Sequence, residues 1–600
     1  MRAARAFWLN FMLFCAVIPG AAAASSDTAQ PAPIILISVD TLRADHLSAY
    51  GYRKIRTPHI DSFAQGGTLF SHAETQIPLT LPSHMTLFTS TYPFENRVEE
   101  NGEQVPHGAV TLASILRARG YKTAAFIGSD FLDRRYGLDV GFDVYDSPFD
   151  IEAAEKANPF TMSFRRDGAL VLQAARRWLD ANQGEPVFVF VHLFDLHQPY
   201  TLPAELARAH GISRYDQQLE YVDEIVGRFQ EALMRSGWWE KSLVVLLADH
   251  GEGLGDHQEA DHGYFIYEST LHVPLIFHWP KGGQSYPAMA RTPAGLIDVA
   301  PTILEFLGAA APASFEGKSQ LEAIKSGASE GTGAVYSESR YAHDAFRWAA
   351  LRAVRVGNYK FIEAPKTELY DLESDPHEQQ NLISKKSAVA EEMRRQLGQL
   401  LARFAPSESA PKPAISPEVL AQLESLGYLA ARPHDDPESS SIDPKDRLRE
   451  YELYRASLIS LIEGHAAAAA PEFRRIVSED PQSTLARFHL GESYLQIHKP
   501  MEAVREWTIA LRLDPSYAPA AEALGQYWLE RGDSAKARLR FEQVLALTPA
   551  SYTGHFELAM ADERLGLLTE AQQELKTACQ ILPSDKKCVR ALNALEEKIK

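Results

Sequence analysis

The chain has 600 residues, too many for one ordinary hydrophobic core, so we expect two domains or more. Its hydrophobic content of 45% and aromatic content of 10% are typical of a globular protein. The net charge of −19 at pH 7 argues against nucleic acid as a partner, since a phosphate backbone attracts basic surfaces. A local basic pocket for an anionic substrate is still compatible with this charge.

The first residues have the pattern of a secretory signal peptide. A basic start, Met1–Arg5, precedes an apolar run, Ala6–Pro19, and small residues follow. We predict a signal peptide over residues 1–24, with an uncleaved anchor as the alternative. The run is short for a membrane span, and no later stretch reaches spanning length, so no span is expected beyond the signal. This predicts an exported bacterial protein, periplasmic or secreted, in which Cys579 and Cys588 can pair.

Apolar runs alternate with amphipathic helical stretches through the first part of the chain. The predicted strands are Ile34–Val39, Tyr121–Ile127, Pro186–Val191, Leu243–Leu247 and Val273–Phe277. The predicted helices are Thr111–Arg119, Gly168–Asn182 and Glu220–Ser236. This alternation predicts an α/β fold with a doubly wound, mostly parallel sheet. Short strands near Ala334–Ser337 and Tyr359–Ile362 predict an added carboxyl-terminal piece.

Carboxylates and histidines follow three of these strands. Asp40 ends the first strand, Asp195 and His197 follow the third, and Asp249 and His250 follow the fourth. Open α/β sheets bind ligands at the carboxyl ends of their strands, so we expect these groups to converge. Buried carboxylates that converge would repel one another unless a cation lay between them. The pattern predicts one divalent metal ion, Zn²⁺, Mn²⁺, Ca²⁺ or Mg²⁺, and leaves a second ion open.

The loop before a predicted helix at Met85–Thr89 carries the candidate nucleophile. Thr80 lies between Pro78 and Pro82, and a metal would lower the pKa of its hydroxyl. Histidines beyond the ligand set would hold substrate oxygens or protonate the leaving group. The candidates for these two roles are His197 and His262, with His84 a weaker one. Asp195, Asp256, His257 and His84 are also candidates to support the metal site or bind a second metal, although ordinary structural roles are favoured for them.

The last part of the chain changes character twice. Residues 406–446 are rich in Pro, Ser and Asp and predict a linker. Residues 447–600 are helical in pattern, with a period of 34 residues that is marked by Pro481, Pro515, Pro549 and Pro583. This pattern resembles the tetratricopeptide repeat, here followed by a capping helix; an irregular helical bundle is the alternative. Such repeats bind a protein or peptide partner on a concave face.

Five motifs between residues 33 and 405 resemble the sulfatase family of the alkaline phosphatase superfamily. They are Ser38–Asp45 (SVDTLRAD), Pro78–Thr89 (PLTLPSHMTLFT), Asp249–Glu252 (DHGE), Leu296–Thr302 (LIDVAPT) and Leu369–Glu378 (LYDLESDPHE). The resemblance implies a metal-dependent ester hydrolase over this region. Relatives that keep a Thr nucleophile imply that Asp40, Thr80, Asp249 and His250 bind the metal and that His197 and His262 contact the substrate.

The departures from the family pattern bear on the substrate. Thr80 stands where sulfatases have the Cys or Ser that becomes formylglycine, and Thr41 stands where they have a second Asp. His84 replaces an Arg of the pattern. The resemblance therefore favours phosphorus esters over sulfate esters, with Thr80 forming a covalent intermediate. Two alternatives are a phosphoethanolamine-type transferase acting on an envelope glycan or lipid, and a non-catalytic scaffold in which only the repeats function.

Overall fold

The computed structural model describes residues 31–149, 165–200, 202, 211–327, 333–404, 440–582 and 585–600. The predicted signal peptide, most of the predicted linker and Pro583 lie outside these residues. Among the residues that are described, no helix combines the length and the apolar character needed to cross a membrane.

An eight-stranded sheet forms the centre of the amino-terminal region. The strands of the chain are β1 (Ile34–Val39), β2 (Gly67–Phe70), β3 (Ala73–Glu74), β4 (Lys122–Phe126), β5 (Val144–Asp146), β6 (Val187–Leu193), β7 (Leu243–Leu247), β8 (His272–Val273), β9 (Leu275–His278), β10 (Met289–Ala290), β11 (Ala294–Gly295), β12 (Ala334–Ser339), β13 (Leu351–Val356), β14 (Tyr359–Glu363) and β15 (Glu368–Asp371). The large sheet has the order β10-β2-β9-β7-β1-β6-β4-β5. Strands β7, β1, β6, β4 and β5 run parallel to one another, and β9 is antiparallel to both of its neighbours. The predicted mostly parallel α/β sheet is confirmed.

The register of the central strands decides which side chains meet at the sheet edge. Ser38 of β1 pairs with His192 of β6 on one side and with Leu247 of β7 on the other. All residues of these three strands are buried, as expected for strands covered on both faces. Residues just beyond Ser38, His192 and Leu247 therefore leave the sheet side by side.

Helices pack against the sheets of this region, and the last of them lies on the four-stranded sheet of residues 334–371. They are α1 (Pro58–Ala64), α2 (Thr80–Thr89), α3 (Pro93–Asn96), α4 (Leu112–Ala118), α5 (Gly168–Ala181), α6 (Arg214–Arg235), α7 (Trp238–Lys241), α8 (Glu268–Leu271), α9 (Val299–Phe306), α10 (Leu321–Ser326), α11 (Tyr341–Phe346) and α12 (Ser387–Phe404). Helix α6 begins at Arg214, before the predicted start at Glu220. Ser213 caps it by accepting from the backbone N–H of Asp216 at 3.0 Å. The predicted strand Val273–Phe277 is interrupted at Pro274, which has no N–H to donate to a ladder.

A second, antiparallel sheet of four strands, β12-β13-β14-β15, follows. Charged side chains that are almost fully buried connect it to the amino-terminal region. Arg355 Nη1 lies 2.7 Å from Glu74, while Lys360 Nζ lies 3.0 Å from Glu268 and 2.9 Å from Glu378. Buried charges are tolerated when they are paired in this way, and the loss of one member leaves its partner uncompensated. The four-stranded sheet is thereby held against β3 and the residue Glu268 of the amino-terminal region.

The carboxyl-terminal region is helical. Its helices are α13 (Leu448–Ile462), α14 (Ala466–Glu479), α15 (Thr484–Gln496), α16 (Pro500–Leu513), α17 (Ala518–Glu530), α18 (Ser534–Leu547), α19 (Tyr552–Leu565), α20 (Leu568–Ile581) and α21 (Lys586–Ile599). The first residues of α15, α17 and α19 are 34 residues apart, as are those of α16, α18 and α20. The assignment to the tetratricopeptide repeat stays a prediction.

Small residues let neighbouring helices of this region approach closely. A Cβ added at Gly491 would lie 2.3 Å from the Trp507 ring, and one at Gly525 would lie 2.8 Å from the Phe541 ring. Glycine is therefore required where each aromatic ring of the following helix packs. Near the end of the chain, Cys579 and Cys588 form a disulfide with their Cα atoms 5.7 Å apart.

Candidate active site

Two buried carboxylates leave the sheet side by side at the ends of β1 and β7. Asp249 Oδ1 accepts from the backbone N–H groups of Thr41 at 3.3 Å and His250 at 2.9 Å. Asp40 Oδ2 accepts from the Thr80 hydroxyl at 3.3 Å. The remaining oxygens, Asp40 Oδ1 and Asp249 Oδ2, are buried and have no hydrogen-bond partner among the described residues. Unpartnered buried carboxylate oxygens are the donor atoms that a hard cation needs.

Burial raises the pKa of Asp40 to about 8 and raises the pKa of Asp249 well above its ordinary value. Desolvation is the main cause in both cases, and the charge of Asp40 raises the pKa of Asp249 further. A divalent cation between the two carboxylates would oppose this effect, since an adjacent positive charge stabilises the ionised form. Together with a neutral imidazole nearby, this donor set fits one divalent metal ion.

His250 supplies that imidazole. Its Nδ1–H donates to the carbonyl of Gly251 at 2.9 Å, which makes Nε2 the acceptor atom of the ring. Nε2 lies 3.4 Å from Thr80 Oγ1 and 3.5 Å from Asp249 Oδ2. Burial lowers the pKa of His250 to about 3, so the ring is neutral, the form that binds metals. Single donor atoms of Asp40, Asp249 and His250 lie within 4.8 Å of one another.

Thr80 is the first residue of α2, not part of a loop that feeds a later helix as predicted. Its side chain is fully buried and lies in contact with both Asp40 and His250. His84, one turn later, donates from Nδ1 to the Thr80 carbonyl at 2.7 Å, and its Nε2 lies 3.0 Å from the Ser38 hydroxyl of β1. The predicted nucleophile is therefore held between the end of β1 and the first turn of a helix, where the helix dipole favours an anion.

The two predicted substrate histidines lie beside this group. The His262 ring centroid is 4.2 Å from that of His250 and 5.2 Å from that of His197. His262 Nδ1 donates to Glu252 Oε1 at 3.1 Å, and His197 Nδ1 donates to the carbonyl of Gln198 at 2.6 Å. Both rings thus have Nε2 as their acceptor atom. Burial lowers the pKa of His262 to about 4 and the pKa of His197 well below its ordinary value, so both are neutral.

The structure brings together all six residues predicted from the sequence, Asp40, Thr80, His197, Asp249, His250 and His262. Their roles as ligands, nucleophile and substrate contacts stay predictions. Three further residues at the site were not predicted. Glu252 orients His262, and His192 Nε2 lies 3.3 Å from Asp40 Oδ2. Arg165 donates to the carbonyls of Phe194, His197 and Pro199 around the histidine loop.

A second group of potential ligands borders the first. Donor atoms of His84, His192 and Asp249, all buried, lie within 4.8 Å of one another. The sequence signal for His192 was its position at the end of β6, where the parallel register places it beside Ser38 and next to Asp40. Glu252 could have been found as the first carboxylate after the Asp249–His250 pair.

The weaker candidates separate into two kinds. His84 lies at the site, whereas Asp195 supports the start of α5 by accepting from the backbone N–H of Gly168 at 3.2 Å. Asp256 pairs with Arg43 at 2.8 Å and is 47% exposed. The His257 ring stacks on Tyr267 at 3.6 Å. These contacts agree with the ordinary structural roles that were favoured for Asp256 and His257, and a supporting role of either residue at the metal site stays a prediction.

The sequence matches two family models. The model described as Sulfatase matches residues 33–309, and the model described as N-sulphoglucosamine sulphohydrolase, C-terminal, matches residues 255–404. The delta 4,5-hexuronate-2-O-sulfatase of Bacteroides thetaiotaomicron is similar, at 24% identity over 62% of this chain and 88% of that protein. The multifunctional alkaline phosphatase superfamily protein PehA of Trinickia caryophylli is 23% identical over 58% of this chain and 90% of its own length.

Solved structures resemble the same part of the chain. The phosphonate monoester hydrolase of Agrobacterium radiobacter superposes with a TM-score of 0.53 at 22% identity, covering 62% of this chain and 96% of that chain. At this identity the likeness shows the fold, which is the α/β fold described above. All six predicted site residues lie within residues 33–309, the part that the first family model matches.

Proposed function

We propose that the protein is an exported, metal-dependent hydrolase of phosphate or sulfate esters that uses Thr80 as its nucleophile, since the Sulfatase family model matches residues 33–309. One observation carries this proposal: the Thr80 hydroxyl contacts Asp40 at 3.3 Å and His250 at 3.4 Å at the start of a helix, where two buried carboxylates each have one oxygen without a hydrogen-bond partner among the described residues. Such a hydroxyl is in position to be activated and to attack an anion.

The proposed metal site consists of Asp40, Thr80, Asp249 and His250. A divalent ion held there would lower the pKa of the Thr80 hydroxyl and withdraw charge from the ester oxygens. The protein fixes the geometry: Asp249 is held by two backbone N–H groups, and His250 by the Gly251 carbonyl. Metal ligands that are themselves hydrogen-bonded in this way keep their orientation. The identity of the ion, Zn²⁺, Mn²⁺, Ca²⁺ or Mg²⁺, is left open by this donor set.

In the first half of the proposed reaction, Thr80 Oγ1 forms a bond to phosphorus or sulfur while the bond to the leaving oxygen breaks. The hydroxyl proton leaves along the hydrogen bond to Asp40. His197 and His262 are neutral in the free protein, and an anionic ester beside them raises their pKa, so they take up protons as the substrate binds. A protonated ring can then donate from Nε2 to the leaving oxygen.

In the second half, water attacks the phosphorus or sulfur atom of the phospho- or sulfo-threonine, the bond from that atom to Thr80 Oγ1 breaks, and the proton held by Asp40 returns to Oγ1. The histidine that gave up its proton in the first half has Nε2 as an acceptor again and can remove a proton from the attacking water. Glu252 keeps the His262 ring in this tautomer through the 3.1 Å contact to Nδ1. The same two rings thereby serve both halves of the cycle.

Thr80 also bears on the class of ester. The sulfatase pattern requires an unsubstituted side-chain methylene at this position to form an aldehyde, and Thr has a methyl group there. A simple alkoxide nucleophile suits phosphorus esters, so we favour phosphate or phosphonate-type esters over sulfate esters. Two similar proteins support this choice by analogy. PehA is named as a member of the alkaline phosphatase superfamily, and the protein of Agrobacterium radiobacter is a phosphonate monoester hydrolase. For the helical region we propose the binding of a protein or peptide partner.

Intact-protein mass spectrometry tests the proposal. Metal-loaded protein is exposed briefly to an aryl phosphate, an aryl phosphodiester and an aryl sulfate in parallel. We expect a covalent adduct with one of them that is absent from Thr80→Ala. Thr89→Ala, which changes a threonine of the same helix away from the site, is the control and should keep the adduct.

The products separate the remaining outcomes. Release of free phosphate or sulfate supports a hydrolase, whereas transfer to an added alcohol in preference to water would indicate a transferase. A protein without an adduct, without turnover and without bound metal would contradict the enzymatic proposal and leave the helical region as the functional part.

A further inference from the structure

The segment that carries His262 is held by a helix from outside the large α/β sheet. Asp261 accepts from Tyr451 Oη at 3.2 Å and from Arg455 Nη1 at 2.7 Å, and both donors belong to α13, the first long helix of the carboxyl-terminal region. The Arg455 and Asp261 side chains are only 27% and 21% exposed. A charge pair at this distance, shielded from water, is stronger and more directional than a surface ion pair.

The other end of the segment is fixed by the same helix. The Tyr264 ring stacks on the Tyr451 ring with centroids 4.3 Å apart, and Tyr264 Oη donates to the carbonyl of Pro444 at 2.7 Å. Tyr264 is completely buried, and Tyr451 is 3% exposed. The residues on both sides of His262 and Gly263 therefore depend on contacts with α13 and the turn that precedes it.

The face of the segment opposite α13 lies against the proposed active site. The backbone N–H of Gly253 donates to the Asp261 carbonyl, and a Cβ added at Gly253 would come within 2.6 Å of that oxygen. Gly263, at φ +95°, lies so close to the residue before Thr80 that an added Cβ would be 3.1 Å from the Leu79 side chain. His262 is thus packed between its supports on α13 and the residues around Thr80. A shift of the segment by a fraction of an ångström would move the His262 ring.

We propose that Arg455 and Tyr451 are positioning residues of the active site: they hold Asp261 in place and through it set the orientation of His262. The role of His262 in this proposal rests on the proposed function, whereas the tether between α13 and residues 261–264 does not. A consequence is that turnover depends on the docking of α13, so that the carboxyl-terminal region is part of the working site as well as a binding module.

Steady-state kinetics on single and double variants test the proposal. Arg455→Met should lower kcat by about 10- to 100-fold, the usual effect of removing a residue that orients a site residue, with little change in KM or metal content. Arg455→Lys keeps the charge and should recover part of the loss. Arg475→Met removes an exposed arginine that pairs with Glu479 on α14, and it should have no effect.

The decisive comparison uses His262→Ala as the background. Since Arg455 is proposed to act through His262, Arg455→Met should cause no further loss of kcat/KM when His262 is absent. An equal loss in both backgrounds, or a loss of kcat that follows a fall in melting temperature, would overturn the proposal and assign Arg455 a general structural role.

Hydrogen exchange distinguishes a failed tether from a failed proposed function. In Arg455→Met, the amides of residues 261–265 should exchange faster than in the unchanged protein, while those of β1 and β7 stay protected. This readout needs no turnover. Faster exchange in a protein without ester hydrolysis would overturn the proposed function and support the tether; unchanged exchange would overturn the tether whatever the activity.

Discussion

Removing the metal should reveal a contribution of Asp40 to the stability of the protein that falls as the pH rises, whereas the buried neutral His250 and His262 act in the opposite direction below about pH 6.5. Burial raises the pKa of Asp40 from an ordinary value near 3.8 to about 8 in the absence of a cation. The folded state then binds a proton that the unfolded state has lost. The stability that this carboxyl contributes is therefore fully present below about pH 4 and decreases as the pH rises toward 8. Asp249 changes the stability in the same direction, since its pKa is raised as well.

The size of the effect follows from the shift. Between pH 4 and pH 7 the Asp40 carboxyl alone should reduce the free energy of unfolding of the metal-free protein by about 4 kcal/mol, at 1.36 kcal/mol for each unit of pKa difference. That is a large part of the stability of a typical domain. A bound divalent ion stabilises the ionised form and should remove most of this loss.

Thermal unfolding of the chelated and the metal-loaded protein between pH 4 and pH 8 measures this change in stability. Asp40→Asn has no charge to bury, so its metal-free form should be more stable than the metal-free unchanged protein at pH 7 and should gain little from added metal. Asp256→Asn removes a carboxylate that is 47% exposed and is the control, expected to behave like the unchanged protein. If the stability of metal-free Asp40→Asn changed with pH in the same way as that of the metal-free unchanged protein, the prediction would be contradicted.

Two further predictions concern the loops around the site. Arg165→Gln removes a guanidinium that holds three carbonyls around His197, and kcat/KM should fall about tenfold at unchanged metal content, as measured by kinetics and elemental analysis. Gly263→Ala should destabilise the protein by about 1–3 kcal/mol because of its φ of +95° and its contact with Leu79. Gly255→Ala has a similar φ of +94° in open space, so a smaller loss in denaturant unfolding there isolates the contribution of the contact.

The part of the site that could be predicted from the sequence is the part carried by the strands. Asp40 and Asp249 follow continuous apolar runs, and the carboxyl ends of parallel strands meet at one edge of the sheet. The outcome is that donor atoms of these two residues and His250 lie within 4.8 Å of one another. The local sequence was sufficient here because the hydrogen-bonded register of neighbouring strands fixes which of their residues lie side by side.

The support of the site could not be predicted in the same way. Arg455 lies 194 residues after Asp261, and Arg165 lies about 30 residues before the carbonyls that it binds. Nothing in the local sequence around either arginine indicates its partner, because the contact exists only after two separate elements have packed together. His192 was closer to being found, since the register of β1 and β6 alone places it next to Asp40.

The proposed metal ligands and the proposed substrate histidines are held in place by different kinds of contact. Three of the proposed metal ligands, Asp40, Asp249 and His250, follow buried strands, and backbone hydrogen bonds hold Asp249 and His250 in place. The two proposed substrate histidines lie on loops, and each loop is held by an arginine: the His197 loop by Arg165 and the His262 segment by Arg455 through Asp261. Loops have few backbone restraints of their own, so these contacts set how well each ring is oriented. Substitution of either arginine should therefore reduce turnover while metal binding is kept, and substitution of a strand-end carboxylate should abolish both.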